Sequence, residues 1–339
     1  MQHFKKIGFI IICLLFAQTS FCQTIGYLDS SQKGVSFRGL SVVTNDVFWV
    51  SGSKGTVGKT IDGGQHFEWV KPKGFEKTDF RDIEAFDDKT AIIMGIDSPG
   101  VILKTKDGGA NWKVVYRNDT HGIFLDAMAF KNNMRGVCVG DPIDNRFWLI
   151  ETSDGGESWS EVPVSKRPIA EKGEACFASS GTNIGFFDGK TSAYAFVSGG
   201  QNSRLFFLAE NLNTNFPSIT DLDIMKGQET TGANSFAING NNIAIAGGDF
   251  KNYKRSDSTI AYLSWTLLQQ KPFGYKSCII FKDDKTLIAT GLSGTDITIS
   301  NLKDWKHFSD LPFHVVQKAK TGTAVFLAGG NGRIAKIIF

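Results

Sequence analysis

Ten polar side chains are the candidates for chemistry in this 339-residue chain: Arg38, Arg81, Asp82, Asp126, Asp141, Arg167, Glu174, Asn234, Lys276 and His314. Hydrolysis of a glycosidic bond generally requires two carboxyl groups about 5 to 10 Å apart, and Asp126 and Glu174 are the pair such an enzyme would use. Guanidinium groups such as Arg38, Arg81 and Arg167 hold carboxylates and anionic sugars through charge-assisted hydrogen bonds. These residues are scattered over most of the sequence. Only a fold that brings the chain back repeatedly to one place can assemble them.

A repeat supplies that fold. Thr60 to Phe67 (TIDGGQHF), Thr105 to Trp112 (TKDGGANW) and Thr152 to Trp159 (TSDGGESW) align directly, with Asp62, Asp107 and Asp154 spaced by 45 and 47 residues. Such a period marks a repeat architecture rather than separate domains. In each copy the Asp carboxylate and Thr hydroxyl accept backbone N–H groups left over by a tight turn, the glycines permit the turn, and Trp112 or Trp159 covers it. Extending the period predicts seven units of four short strands. The innermost strands begin near Phe37, Phe80, Phe124, Glu174, Ala233, Lys276 and Phe313, and most second strands end in glycine. Blade seven runs out after three strands, and the N-terminal GYLDS (Gly26 to Ser30) is expected to supply the fourth. The expected fold is therefore all-β: a single seven-bladed β-propeller of four-stranded blades over residues 23–339, its last blade closed by the N-terminal strand.

The three motifs resemble the Asp-box, or BNR repeat, with Phe67 standing where Trp is usual and Asn111 where a hydroxyl residue is usual. Asp-boxes occur in propellers that include sialidases and the photosystem II stability/assembly factors, and the resemblance to the latter group covers nearly the whole mature chain. It implies an exported scaffold that grips a protein or an extended ligand. The aspartates have a structural role in this reading, since DGG lacks the alternating carboxylates of a calcium loop.

Propeller topology puts the loops leading into the first strands, and those joining strands two and three, on one face. The ten polar residues then surround the mouth of the central channel there, joined by the loop Asp249 to Asp257 (DFKNYKRSD) with Lys251, Tyr253, Lys254 and Arg255. The turn motifs occupy the opposite face. A mouth of mixed charge suits a protein segment or an anionic carbohydrate. The favoured function is a binding or assembly scaffold; the alternative is a glycoside hydrolase or lyase acting at the same mouth. Sialidase chemistry is disfavoured by the blade number and by the lack of a Tyr partnered with a Glu nucleophile.

Other classes have little support. With 37 Lys+Arg against 34 Asp+Glu the chain carries +3, a balance that gives nucleic acid no foothold. No dinucleotide fingerprint, haem motif, CxxC or metal spacing is present, so neither a cofactor nor a metal is expected. Lys5, Lys6 and the apolar run Gly8 to Ala17 read as a signal peptide covering residues 1–22, too short to span a bilayer. Processing leaves 35 basic against 34 acidic residues and places the protein outside the cytoplasm, as a monomer. Lipidation at Cys22 is the less favoured rival, because Phe21 is bulky. The remaining Cys138, Cys176 and Cys278 sit in apolar runs as core residues.

Overall fold

A computed structural model describes residues 24–28, 31–96, 98–187, 193–208, 218–240, 242–263, 272–299, 302 and 304–339. The expected signal segment, residues 1–22, lies outside them. Seven antiparallel sheets follow one another around a ring. The first three blades start at Phe37–Val42, Phe80–Ala85 and Leu125–Phe130, and each runs outward through three further strands in chain order. In blade seven Thr24–Leu28 lies antiparallel to Ile334–Ile338, so the two ends of the chain close the ring as expected.

The strands are dictated by alternating aromatic and β-branched residues whose side chains interleave between neighbouring blades. Phe48 of blade one meets Phe326 of blade seven with ring centroids 4.3 Å apart, and Phe147 of blade three meets Phe196 and Phe206 of blade four, each at 5.0 Å. The second strands end in glycine for a steric reason. A Cβ on Gly52, Gly140, Gly200, Gly247 or Gly291 would overlap the carbonyl of the segment leading into an inner strand, such as Ser36 O or Phe124 O.

The turn motifs repeat atom for atom. Thr60, Thr105 and Thr152 each accept an N–H, from Gly64, Gly109 and Gly156 at 3.0, 3.0 and 2.9 Å, and donate to Asp62, Asp107 and Asp154. The carboxylates then accept the N–H of His66, Asn111 and Ser158. The bonds from Asn111 and Ser158 hold Asp107 and Asp154 down at about 2. Trp112 stands edge-on to Trp49 at 6.4 Å, and Trp159 edge-on to Phe130 at 5.8 Å.

Blade four departs from the expectation. Its innermost strand is Ile184–Phe186, not a strand starting at Glu174; only Glu174–Ala175 pairs, with Gly199–Gly200. The residues between, 176–183, leave the sheet and cross the central channel. They are tied to blade three by Cys176 N donating to Asp141 Oδ1 (2.9 Å), to blade five by Thr182 Oγ1 to Ser235 Oγ (2.7 Å), and to blade six by Ser180 Oγ to Ser277 O (2.7 Å). The segment is a plug. The apolar run EACFA resembles an inner strand, but Cys176 and Ala178 bond to blades three and two, and the small and polar SSGTN that follows bonds to blades one, five and six instead of extending the strand.

Candidate functional site

The plug separates two chambers in the channel. One, of about 370 Å³, opens on the face where the inner strands begin and is lined by Arg38, Arg81, Phe124, Asp141, Ala175 to Ser179, Asn234, Phe250, Tyr275 and His314. The other, of about 580 Å³, lies toward the turn-motif face between Phe130, Phe186, Phe281 and Lys318. The smaller chamber holds Arg38, Arg81, Asp141 and His314, while the larger is lined by Glu84, Lys131, Lys318 and Lys320.

A repeated backbone device aims side chains into this mouth. In blades one, two, three and five the pairing of the first two strands slips by one residue between Phe37 and Gly39, Phe80 and Asp82, Leu125 and Ala127, and Ala233 and Ser235. The extra residue of each bulge is Arg38, Arg81, Asp126 or Asn234. A bulge turns its residue out of the ladder, and here four equivalent bulges turn theirs toward the channel axis.

Arg38 donates from Nη1 to Ser179 O at 3.1 Å, and burial, reinforced by Arg81 beside it, lowers its pKa. Arg81 is held by Asp79 at 2.9 Å and reaches Ala178 O at 3.5 Å. Asn234 Oδ1 accepts both Ser179 Oγ and Tyr275 Oη at 2.9 Å, and burial pushes the Tyr275 phenol up to about 12. His314 is pushed down to about 3 by burial and then by Arg38, Arg333 and Arg81, so its imidazole is neutral.

The carboxyl groups here are also driven toward neutrality. Asp141 accepts the N–H of Cys176, yet burial raises it to about 6. Asp126 is 0% exposed, and neither of its oxygens has a well-formed hydrogen-bond partner among the described residues. Burial and then the Asp141 charge raise its pKa well above the carboxylate range, an effect that the Arg81 charge and the nearby N–H groups of Ala178 and Asp141 only partly offset. With His314 neutral, Asp126 biased toward its neutral form and Asp79 paired to Arg81, Arg38 has no ion-pair partner among the described residues, although Asp141 on the same chamber wall carries its charge above about pH 6.

The remaining candidates lie elsewhere. Asp82 is buried under the plug, where its oxygens accept Ile83 N and Met128 N, each at 2.7 Å. Glu174 faces Arg204, accepts from its Nε (2.9 Å) and Nη2, and accepts Ser198 Oγ. Lys276 is fully buried on Asp296 at 2.8 Å, with Ser293 Oγ at 2.9 Å. Arg167 lies over Trp148, 4.2 Å from the ring centroid, and bonds Val162 O and Glu161. Asp82 ties the inner strands of blades two and three together, and the other three hold loop and strand segments within their blades. The residues that sequence reasoning missed are Tyr275, Phe177, Ser179 and Phe250. Tyr275 is one position from Lys276 in the segment leading into the inner strand, which begins at Cys278, and there the tyrosine faces the chamber while the lysine turns to Asp296.

No family model matches the chain, and no curated protein matches it. Solved structures do resemble it. YCF48 bound to a D1 peptide aligns with a TM-score of 0.58 at 14% identity, covering 94% of this chain and 95% of that one. YCF48 from Cyanidioschyzon merolae aligns with 0.57 at 14% identity, covering 92% and 98%. A streptogramin B lyase aligns with 0.59 at 13% identity, covering 94% and 97%. At such identities the likeness is one of fold.

Proposed function

We propose that this protein is an exported binding scaffold whose arginine chamber takes a carboxylate-bearing segment of another protein. The observation that carries this reading is Arg38, a guanidinium largely withdrawn from water that donates to a carbonyl, Ser179 O, and has no ion-pair partner among the described residues. A buried cation without an opposite charge is costly, and a ligand carboxylate would supply that charge through bonds stronger than the neutral one it replaces. Phe124, Phe177 and Phe250 give an apolar side chain next to that carboxylate a place to sit. A neighbour of this fold holds a peptide, which makes peptide recognition a natural use of the architecture. The resemblance of the turn motifs to Asp-boxes and the reading of residues 1–22 as a signal belong to the same proposal, which places the protein outside the cytoplasm as a monomer.

A second reading rests on Asp126 and Asp141. A carboxyl group raised to about 6 beside a second buried carboxyl is suited to general acid work, and the arginines would then hold an anionic sugar. Glu174 has no part in it, being occupied by Arg204.

Peptides selected on the mature protein from a random nonapeptide library provide the test. Amide hydrogen exchange with a selected peptide bound should show protection at residues 175–179, 250 and 275. Protection confined to the turn-motif face would overturn the assignment. Turnover of a chromogenic anionic disaccharide, lost in Asp141→Asn, would establish the second reading.

A further inference from the structure

The loop 249–257 beside the chamber is ordered by its own bonds, yet it presents its long side chains to water. Asp249 accepts Lys251 N (2.9 Å), Asn252 N (3.2 Å) and Asn252 Nδ2 (2.7 Å), while Arg255 grips Asp257 through two bonds. The loop is fastened to the chamber wall as well. Tyr253 O accepts the N–H of Tyr275 at 2.8 Å, and Ser256 Oγ accepts that of Gly274 at 3.1 Å. Its first residue after Asp249, Phe250, lies edge-on to both Phe177 and Tyr275 inside the chamber.

Three side chains on this loop have no role in holding it. Lys251 and Lys254 are exposed, and neither ammonium has an ion-pair partner among the described residues, whereas Arg255 is consumed by Asp257. Tyr253 stands between them, 38% exposed, and Phe273, next to Gly274, is 47% exposed. Loops with free aromatic and cationic tips are ordinarily mobile, because ordering them costs side-chain and backbone entropy. Here Asp249, Tyr253 and Ser256 fasten the backbone through the bonds above, so a ligand meeting the loop has less ordering to do.

We infer that Lys251, Tyr253 and Lys254 form a specificity surface continuous with the arginine chamber, and that it reads an acidic residue in the stretch of the partner lying just outside the anchored carboxylate. The inference rests on the proposed function. Charge complementarity selects the occupant: two free ammonium groups flanking an exposed aromatic ring fit an acidic, partly apolar peptide segment, and repel a basic one.

The random nonapeptide library, displayed on phage, separates the two ideas. Wild-type protein should enrich peptides with acidic residues at two separate positions. The double variant Lys251→Ala/Lys254→Ala should lose the preference at one position and keep the other, and Arg38→Ala should do the converse. For a selected peptide, replacing the outer Glu by Gln should weaken binding about two- to fivefold on wild type, as expected for an exposed ion pair, and leave it unchanged on the double variant. Identical preferences for wild type and the double variant would overturn the loop's role while leaving the chamber intact. Failure of wild type to enrich any acidic peptide would overturn the chamber reading and this inference with it. Lys251 and Lys254 are exposed and have no ion-pair partner among the described residues, so the double variant folds; a melting curve checks that Arg38→Ala, which loses the bond to Ser179 O, is folded before it is scored.

Discussion

Arg38 in the first blade and Ser179 in the fourth, 141 residues apart, meet across the channel through a 3.1 Å bond from Nη1 to the carbonyl oxygen. The bond ties the Arg38 guanidinium to the plug. It sets the guanidinium in place before any ligand arrives, and preorganised donors bind at lower entropic cost.

The plug also passes close over Asp82. Gly181 has φ +69°, and a Cβ there would overlap the Asp82 carboxyl. Gly181→Ala is expected to displace the plug and lower the melting temperature, with weaker peptide binding as a consequence. An unchanged melting temperature and affinity would show that the segment does not cross the channel in this way.

Glu174→Gln tests whether that carboxyl is chemical or structural. The substitution leaves the Arg204 guanidinium, whose side chain is 9% exposed, facing a neutral amide. A broken buried pair of this kind costs up to about 3 kcal/mol, and exposed Glu171, 3.4 Å from Arg204, recovers part of it. The denaturant midpoint should fall, with ligand affinity in the folded protein unchanged. Lost affinity at wild-type stability would return Glu174 to the site.

Thr105→Val removes the acceptor of the buried Gly109 N–H and the donor to Asp107. Leaving that N–H unsatisfied should cost about 1 to 3 kcal/mol. Because the turn lies on the far face, peptide affinity should be preserved, and calorimetry beside a binding titration reads both.

Asp141 gives a pH dependence with a definite sign. Its folded pKa of about 6 lies above the unfolded value of about 3.9, so the folded state holds the proton more tightly. That contribution is fully present below about pH 4 and is lost as pH rises through about 6. Asp141→Asn should therefore be the more stable protein at pH 8, with the gap closing toward pH 5. Parallel denaturation midpoints across that range would mean that the carboxyl is solvated.

What could be read in advance followed from local pattern. The spacing of Asp62, Asp107 and Asp154, the glycine-ended second strands and the missing strand of blade seven together specify the ring and its closure. Arg38, Arg81, Asn234 and His314 could be placed at the mouth because each sits at the start of an inner strand. The rest depended on partners remote in sequence. Glu174 finds Arg204 30 residues later, and Lys276 finds Asp296 across its blade; nothing near either residue announces its partner. The plug was illegible for a related reason: residues 176–183 have the composition of a strand end, and only the channel geometry decides where they go.

The central claim is that the chamber binds through the Arg38 guanidinium, which has no ion-pair partner among the described residues. Titration calorimetry of one selected acidic peptide on wild type, Arg38→Ala, Arg81→Ala and Lys276→Met measures it directly. Removing a charge-assisted contact of about 1.5 to 3 kcal/mol predicts a loss on the order of tenfold or more for Arg38→Ala and a smaller one for Arg81→Ala, which Asp79 already partly neutralises. Lys276→Met lies outside the chamber and should lower stability but not affinity. Affinity indifferent to Arg38 and Arg81 would contradict the account and leave the mouth a solvated rim.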